Sequence, residues 1–290
     1  MQCKHIFLAL LVVVIWGCNF VFIKFGVSEI SPLFLCAIRF FLASVPAIFF
    51  IKPPAAPIKI IIIYGLLMFG LQFSFLFLGI KAGIMPGLAS LLVQVQVFFS
   101  IFFAALFLKE TPSAWQIAGG IVSFSGIGLI AIQSHNTATL TGFLLIIGAC
   151  MWWGLGNLIT KQIRHVNMIA LVVWGSFVAC LPLLLCSLLF EGPKQILSSV
   201  HHITWLGVGS VVYIVYASTW VGYGVWNKLI SHYPIATVVP FTLLVPIFGL
   251  LSSAFVFDEP LQSWKIIAGI LVVSGLCINI LSARLGLKQA

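Results

Sequence analysis

Long apolar runs dominate the sequence, and each is about 20 residues long. An α-helix rises about 1.5 Å per residue, so a helix of this length crosses the roughly 30 Å hydrocarbon core of a bilayer. Of the 290 residues, 62% are hydrophobic and only 7% are charged, whereas a typical soluble domain has about 25% charged residues. The composition excludes a soluble fold and predicts an all-α membrane protein. The ten predicted transmembrane helices lie at about 5–25, 33–51, 60–80, 87–108, 115–132, 142–160, 169–190, 204–227, 236–257 and 265–283.

The distribution of basic residues predicts how these helices are oriented. An even number of spans puts both termini on one side of the membrane, and that side holds nine of the fourteen Lys and Arg residues. Loops that stay in the cytoplasm are enriched in Lys and Arg, so both termini are predicted to be cytoplasmic. The basic residues lie singly between apolar runs and form no stripe of the kind that binds nucleic acid. The expected partners are therefore a small-molecule substrate and the lipid bilayer; the sequence predicts no particular oligomeric state.

The sequence carries no motif for catalysis or for metal binding. Its seven cysteines show no C-x-x-C or Cys/His ligand spacing, so neither a metal nor another cofactor is predicted. An enzyme within the membrane would need an acid–base pair, a nucleophile with its base, or metal ligands. No such set has suitable spacing, and no predicted loop is long enough to form a separate catalytic domain. The chain is therefore not predicted to be an enzyme.

Two short patterns of the first half recur in the second half. The matched segments are Trp16-Gly17 with Trp153-Gly154, at an offset of 137 residues, and Glu110-x4-Trp115 with Glu259-x4-Trp264, at an offset of 149. They predict two related halves, 1–135 with helices 1–5 and 140–285 with helices 6–10. Because five is an odd number, the second half must enter the membrane in the opposite orientation. Inverted repeats of this kind are common in secondary transporters, which bind substrate near the midplane between the halves.

Several segments resemble one transporter family. They are Leu8–Gly26, Leu88–Phe99, Val221–Leu229, Leu243–Leu250 and Asp258-Glu259. Through them the whole chain is similar to the EamA branch of the drug/metabolite transporter superfamily, and within it to members that export O-acetylserine and cysteine from bacteria. The resemblance implies ten helices arranged as a 5+5 inverted repeat around a central cavity in the inner membrane. It also implies efflux of amino acids or related small metabolites.

The eighth predicted helix carries the clearest pattern of polar and aromatic residues. Tyr213, Tyr216, Trp220, Tyr223 and Asn227 are spaced by three or four residues, so in an α-helix they lie on one face. That face extends for about 20 Å along the helix, farther than an aromatic belt at a membrane interface. The pattern favours a wall of the central cavity, with helix–helix packing as the alternative. Aromatic rings in such a wall can bind a substrate ammonium group through cation–π contacts.

The first and sixth predicted helices provide further candidates for the cavity. Trp16 and Asn19 lie in the first helix, and Trp153 and Asn157 lie in the sixth. The two asparagines are not symmetry equivalents, because they follow their tryptophans by three and by four residues. A polar side chain in the middle of a span needs a partner or a water-filled cavity. For Asn19, substrate contact and an interhelical hydrogen bond are equally consistent with the sequence.

Other predicted helices contain isolated polar residues and two prolines. Gln94 in the fourth helix and Gln72 in the third are candidates for the cavity wall. Arg39 lies about a turn and a half inside the second helix, where its guanidinium can bind a substrate carboxylate through two hydrogen bonds. Such a residue more commonly extends to the membrane surface. Pro240 and Pro246 interrupt the ninth helix and are predicted to form a hinge.

Taken together, these patterns predict a secondary transporter that works by alternating access. By resemblance, its substrates are small amino acids or metabolites derived from them, of the cysteine and O-acetylserine type, exported across the bacterial inner membrane. The sequence leaves other substrates open: aromatic amino acids, S-adenosylmethionine, nucleotide sugars and drugs. A membrane protein without transport activity is the remaining alternative. No acidic residue lies in the middle of a predicted span, so no proton-coupling group is identified.

Overall fold

A computed structural model describes residues 2–109, 112–133, 139–163, 166–232 and 239–284, and within these ranges it contains helices and no strands. We number the main helices α1 (Cys3–Glu29), α2 (Pro32–Phe49), α3 (Ile58–Lys81), α4 (Pro86–Leu108), α5 (Ala114–Gln133), α6 (Leu140–Gln162), α7 (Met168–Phe190), α8 (Trp205–Trp226), α9 (Val245–Phe257) and α10 (Ser263–Arg284). The segment Tyr223–His232 continues α8, and a short helix, Gly192–His201, joins α7 to α8.

Eight of these helices, α1 to α8, are long and apolar enough to cross a membrane. The apolar parts of α9 and α10 are shorter in the described residues, at Val245–Phe257 and Ser263–Ile278. The all-α membrane fold predicted from the apolar runs is confirmed. The predicted count of ten spans stays a prediction.

Two close helix contacts show that the sequence repeat is also a structural repeat. Gly17 of α1 lies against α9, where an added Cβ would be 2.5 Å from the Cβ of Phe248. Gly154 of α6 lies against α4 in the same way, because an added Cβ would be 2.8 Å from the Cβ of Phe99. The two glycines are separated by 137 residues and the two phenylalanines by 149. These are the offsets found in the sequence, so α1 packs on α9 as α6 packs on α4.

The contact between α5 and α10, the last helix of each half, is also symmetric between the two halves. A Cβ on Gly126 of α5 would lie 2.9 Å from the carbonyl oxygen of Ala268 in α10. A Cβ on Gly275 of α10 would overlap the carbonyl oxygen of Gly119 in α5. Gly126 and Gly275 are 149 positions apart, and so are Gly119 and Ala268. Small residues therefore let the two backbones approach closely, as in many membrane helix pairs, and they do so symmetrically.

The repeat extends to irregular segments of the helices. A π-helical segment, Leu66–Leu71, interrupts α3, and a longer one, Tyr213–Gly222, interrupts α8. A 3-10 turn, Val93–Val95, divides α4, and a 3-10 segment, Val239–Leu244, precedes α9. The third and fourth helices of each half therefore depart from α-helical geometry at corresponding places. Such departures free backbone groups and are frequent at functional sites in membrane helices.

The two prolines of the ninth predicted span lie in different segments of the structure. Pro240 lies in the 3-10 segment, and Pro246 lies in the first turn of α9, where a missing N–H costs no helical hydrogen bond. The helix type therefore changes between the two prolines, and the hinge predicted there stays a prediction. Both α4 and α9 end in a residue with left-handed backbone, Lys109 with φ 55° and Asp258 with φ 51°. These residues are also 149 positions apart.

Hydrogen bonds join the two halves at the end of the bundle where α1 finishes and α2 starts. The Glu29 carboxylate accepts from the backbone N–H and the hydroxyl of Thr204, at 2.9 and 2.6 Å. The Glu191 carboxylate accepts from the backbone N–H groups of Leu33 and Phe34, at 2.8 and 3.1 Å. Each acid belongs to one half and satisfies free N–H groups at a helix N-terminus of the other half.

Candidate functional site

The aromatic residues of α8 do not form the single straight face expected from their spacing. In the π-helical segment Tyr213–Gly222, hydrogen bonds join residues five apart, so the α-helical repeat is lost. The Tyr213 hydroxyl donates to the carbonyl oxygen of Ile15 in α1, at 2.8 Å. The Trp220 indole N–H donates to the carbonyl oxygen of Ala43 in α2, at 3.2 Å. The stripe is therefore divided between two neighbouring helices, and the side chain of Asn227 lies outside the described residues.

An aromatic cluster joins α1 to the second part of α8. The Trp16 indole N–H donates to the carbonyl oxygen of Ser218, at 3.1 Å. Its ring centroid lies 5.5 Å from that of Tyr223 and 5.3 Å from that of Trp226. Gly222 makes room for this ring, because a Cβ there would lie 2.5 Å from the indole nitrogen. The structure therefore brings together two predicted site residues, Trp16 and Tyr223. It also places Trp226 in the cluster, a residue that was not predicted. Its spacing of three residues from Tyr223, which puts both on one helix face, is the sequence pattern that could have identified it.

A cavity of about 360 Å³ lies between α1 and the first part of α8. Its walls are largely apolar, and it is open to the surface of the helix bundle, since Trp205, Leu206 and Val212 in its wall are 90%, 49% and 49% exposed. Tyr213 and Tyr216 are the predicted site residues that line it; 47% of the Tyr216 side chain is exposed. Its size is at the lower end of the range for small-molecule sites. The complete lining is Phe22, Trp205, Leu206, Gly209, Val212, Tyr213, Tyr216 and Ala217.

Three of the predicted polar residues are buried inside the helix bundle. Asn19 in α1, Gln72 in α3 and Gln94 in α4 are at most 8% exposed. The side-chain oxygen of Asn19 and the side-chain nitrogen of Gln72 have no hydrogen-bond partner among the residues that the structure describes. A buried polar atom without a partner costs about 1–3 kcal/mol. Such atoms are available to a ligand or to water, and their cost is removed when either binds.

Asn157 is used differently from Asn19. Its amide nitrogen donates to the side-chain oxygen of Gln96 and to the hydroxyl of Ser100 in α4, both at 2.9 Å. The same helix pair meets at Gly154, so these bonds stabilise the contact between α6 and α4. Trp153, one of the predicted cavity residues, is half-buried against the main hydrophobic core. In this conformation the sixth helix therefore contributes packing and helix-helix hydrogen bonds.

Arg39 does not extend to the membrane surface. Its side chain is 2% exposed, and its guanidinium carbon lies 4.0 Å from the ring centroid of Phe73 in α3. One terminal nitrogen, Nη2, donates to the hydroxyl of Thr219 in the π-helical segment of α8, at 3.3 Å. The other two nitrogens, Nε and Nη1, have no hydrogen-bond partner in the described part of the chain. Phe73 and Thr219 are functional candidates that sequence reasoning missed, because only the fold brings α2, α3 and α8 together.

Comparison with known proteins gives one consistent result. A sequence model of the EamA-like transporter family matches the chain twice, over residues 4–132 and 140–281. A protein of Salmonella typhimurium named "Probable amino-acid metabolite efflux pump" is 38% identical over 290 residues, covering 98% of this chain and 97% of that protein. A protein of the same name from Escherichia coli is 36% identical over 283 residues, covering 96% and 95%. A solved crystal structure aligns over 100% of both chains with a TM-score of 0.68 at 15% identity, which shows a shared fold.

Proposed function

This chain belongs to the EamA-like transporter family, and on that premise we propose that it exports small amino acids or amino-acid-derived metabolites across the bacterial inner membrane. The observation that carries the proposal is the similarity, over almost the full length of both chains, to proteins named as amino-acid metabolite efflux pumps. Buried polar atoms without partners, on Asn19, Gln72 and Arg39, supply the hydrogen-bonding capacity that a polar substrate requires.

The proposed mechanism is alternating access by two inverted halves, residues 1–135 and 140–285. Its support is the symmetry of the helix contacts, since α1 packs on α9 as α6 packs on α4, and α5 meets α10 at symmetric positions. Five helices in each half give the two halves opposite orientations and put both termini on the same side of the membrane, which the distribution of Lys and Arg predicts to be the cytoplasm. The paired irregular segments of α3, α4, α8 and α9 are then the places where each half bends as the site changes sides.

We place the substrate between α1, α3, α4 and α8. The aromatic cluster of Trp16 and Tyr223 offers π faces to an ammonium group. The cavity beside Tyr213 and Tyr216 offers an apolar surface to a side chain. The remaining proposed contacts are Asn19, Gln72 and Gln94, with Trp220 and Asn227 of α8 and its continuation. Trp153 and Asn157, also predicted for the cavity wall, belong to α6, which packs on α4 in this conformation.

Uptake into everted membrane vesicles tests this function, because export from the cell becomes uptake in such vesicles. Vesicles with and without the protein are given labelled cysteine, O-acetylserine, phenylalanine or S-adenosylmethionine. We expect protein-dependent uptake of cysteine and O-acetylserine above that of the other two compounds. Preference for phenylalanine or S-adenosylmethionine would assign another substrate class. Folded, membrane-inserted protein that moves none of the four would contradict the proposal.

A further inference from the structure

We propose that the guanidinium of Arg39 binds the carboxylate of the transported substrate. The inference rests on the proposed function and makes it more specific: the substrates are compounds with a free carboxylate. It is carried by one arrangement, a buried arginine of α2 that is fixed by α3 and α8 and keeps unused N–H donors in the interior of the bundle.

No acidic side chain within the described ranges balances the charge on Arg39. Lys265, which is as deeply buried, is 2.9 Å from the carboxylate of Glu259 and also donates to the carbonyl oxygen of Pro260. Arg39 has no acidic partner among the described residues; its contacts are one threonine hydroxyl and aromatic rings, the nearest that of Phe73. A buried charge without a counterion is strongly unfavourable. A ligand that brings a negative charge to this point therefore gains more than one that does not.

The free N–H groups of the Arg39 guanidinium have the geometry needed to bind a carboxylate. A guanidinium has two edges that each present two parallel N–H groups, and Nη2 contributes one hydrogen to each edge. Thr219 accepts from Nη2, and Nε and Nη1 are free. Whichever hydrogen Thr219 accepts, the opposite edge keeps two free N–H groups. Phe73 covers one face of the guanidinium at 4.0 Å, so the ligand approaches in the plane, as a bidentate carboxylate does.

Competition between an amino acid and its carboxamide tests this assignment. The fastest transported compound among labelled cysteine, O-acetylserine and phenylalanine serves as the probe in everted vesicles, and its unlabelled form and its carboxamide serve as inhibitors. Two charge-assisted hydrogen bonds favour the free carboxylate by about tenfold to hundredfold. We expect wild-type protein to show this preference and Arg39→Gln to lose it. Arg39→Lys keeps the charge without the planar edge, so its preference should lie between those of the wild-type protein and Arg39→Gln.

The exposed Lys52→Gln variant is the matched control, because it removes one positive charge beyond the end of α2 and should keep the full preference. A preference for the free carboxylate that is unchanged in Arg39→Gln would overturn the inference. If the glutamine variant does not fold, an unchanged preference in Arg39→Lys would do the same.

Purified protein gives a readout that does not depend on transport. Thermal stabilisation of wild-type protein by the amino acid, but not by its carboxamide, should vanish in Arg39→Gln. Wild-type protein stabilised equally by both compounds would refute the carboxylate site, whereas stabilisation without uptake would refute the transport function alone.

Discussion

Alanine in place of Gly17 or Gly154 should destabilise the protein to a similar extent. The new Cβ would lie 2.5 Å from the Cβ of Phe248 in one variant and 2.8 Å from the Cβ of Phe99 in the other. Carbon atoms in contact are normally about 3.5–4.0 Å apart, so each helix pair must separate by about an ångström. Overpacking of this kind costs about 1–3 kcal/mol. The free energy of unfolding, measured by titration with sodium dodecyl sulfate in mixed micelles, should fall by that amount relative to a variant that gains a Cβ without a close contact.

Gly224→Ala is the matched control, because no atom lies within 4 Å of the Cβ that it adds. All three substitutions replace a helical glycine, so the gain in helix propensity of about 1 kcal/mol cancels in the comparison. If Gly17→Ala were as stable as Gly224→Ala, the close contact of α1 with α9 would be wrong. If only one of the symmetric pair were destabilised, the structural equivalence of the two halves would be wrong.

Three further predictions separate packing, binding and topology. Asn19→Ala should reduce transport with little loss of stability, because the Asn19 side-chain oxygen has no partner to lose within the described residues. Gln96→Ala removes a partner of Asn157, so it should lower the free energy of unfolding by about 1 kcal/mol with less effect on transport. A larger loss of transport in Gln96→Ala than in Asn19→Ala would contradict the assignment of the two side chains. Glu191→Ala should lower the free energy of unfolding by about 1–2 kcal/mol, as loss of a helix N-cap does, and unchanged stability would refute the capping role. A reporter fused after Ala290 should be active on the cytoplasmic side, and a periplasmic signal would refute the predicted topology.

The helical membrane fold could be predicted because the lipid bilayer imposes a length and a composition on each span. The sixth helix, for example, is predicted at 142–160 and observed at Leu140–Gln162. The repeat could also be detected, since Gly17 and Gly154 are placed by close contacts that tolerate no side chain. The helical spans and the repeat could both be predicted because each is encoded in short segments of the sequence.

The irregular helical segments could not be predicted from local sequence. No proline lies between Pro86 and Pro112, yet α4 contains the 3-10 turn Val93–Val95. The π-helical segment of α8 likewise contains no proline, and it divides an aromatic stripe that α-helical geometry places on one face. These departures are set by packing between helices that are distant in sequence, which overrides the small difference in energy between helix types.

The orientation of Arg39 depends on tertiary structure in the same way. Its position within α2 is compatible with a side chain that extends to the membrane surface or one that is buried. Phe73 of α3 and Thr219 of α8 determine the outcome, and they lie 34 and 180 positions away in the sequence. The sequence could therefore predict which residues are candidates for the site, but not which of their side chains contact one another.

Solute counterflow in proteoliposomes tests the account most directly, because it requires only purified protein and no knowledge of the coupling ion. Proteoliposomes loaded with unlabelled cysteine or O-acetylserine are diluted into a trace of the same labelled compound. A carrier with alternating access should accumulate the label transiently, and liposomes without protein should not. Folded protein that accumulates neither compound would contradict transport of amino-acid metabolites by this chain.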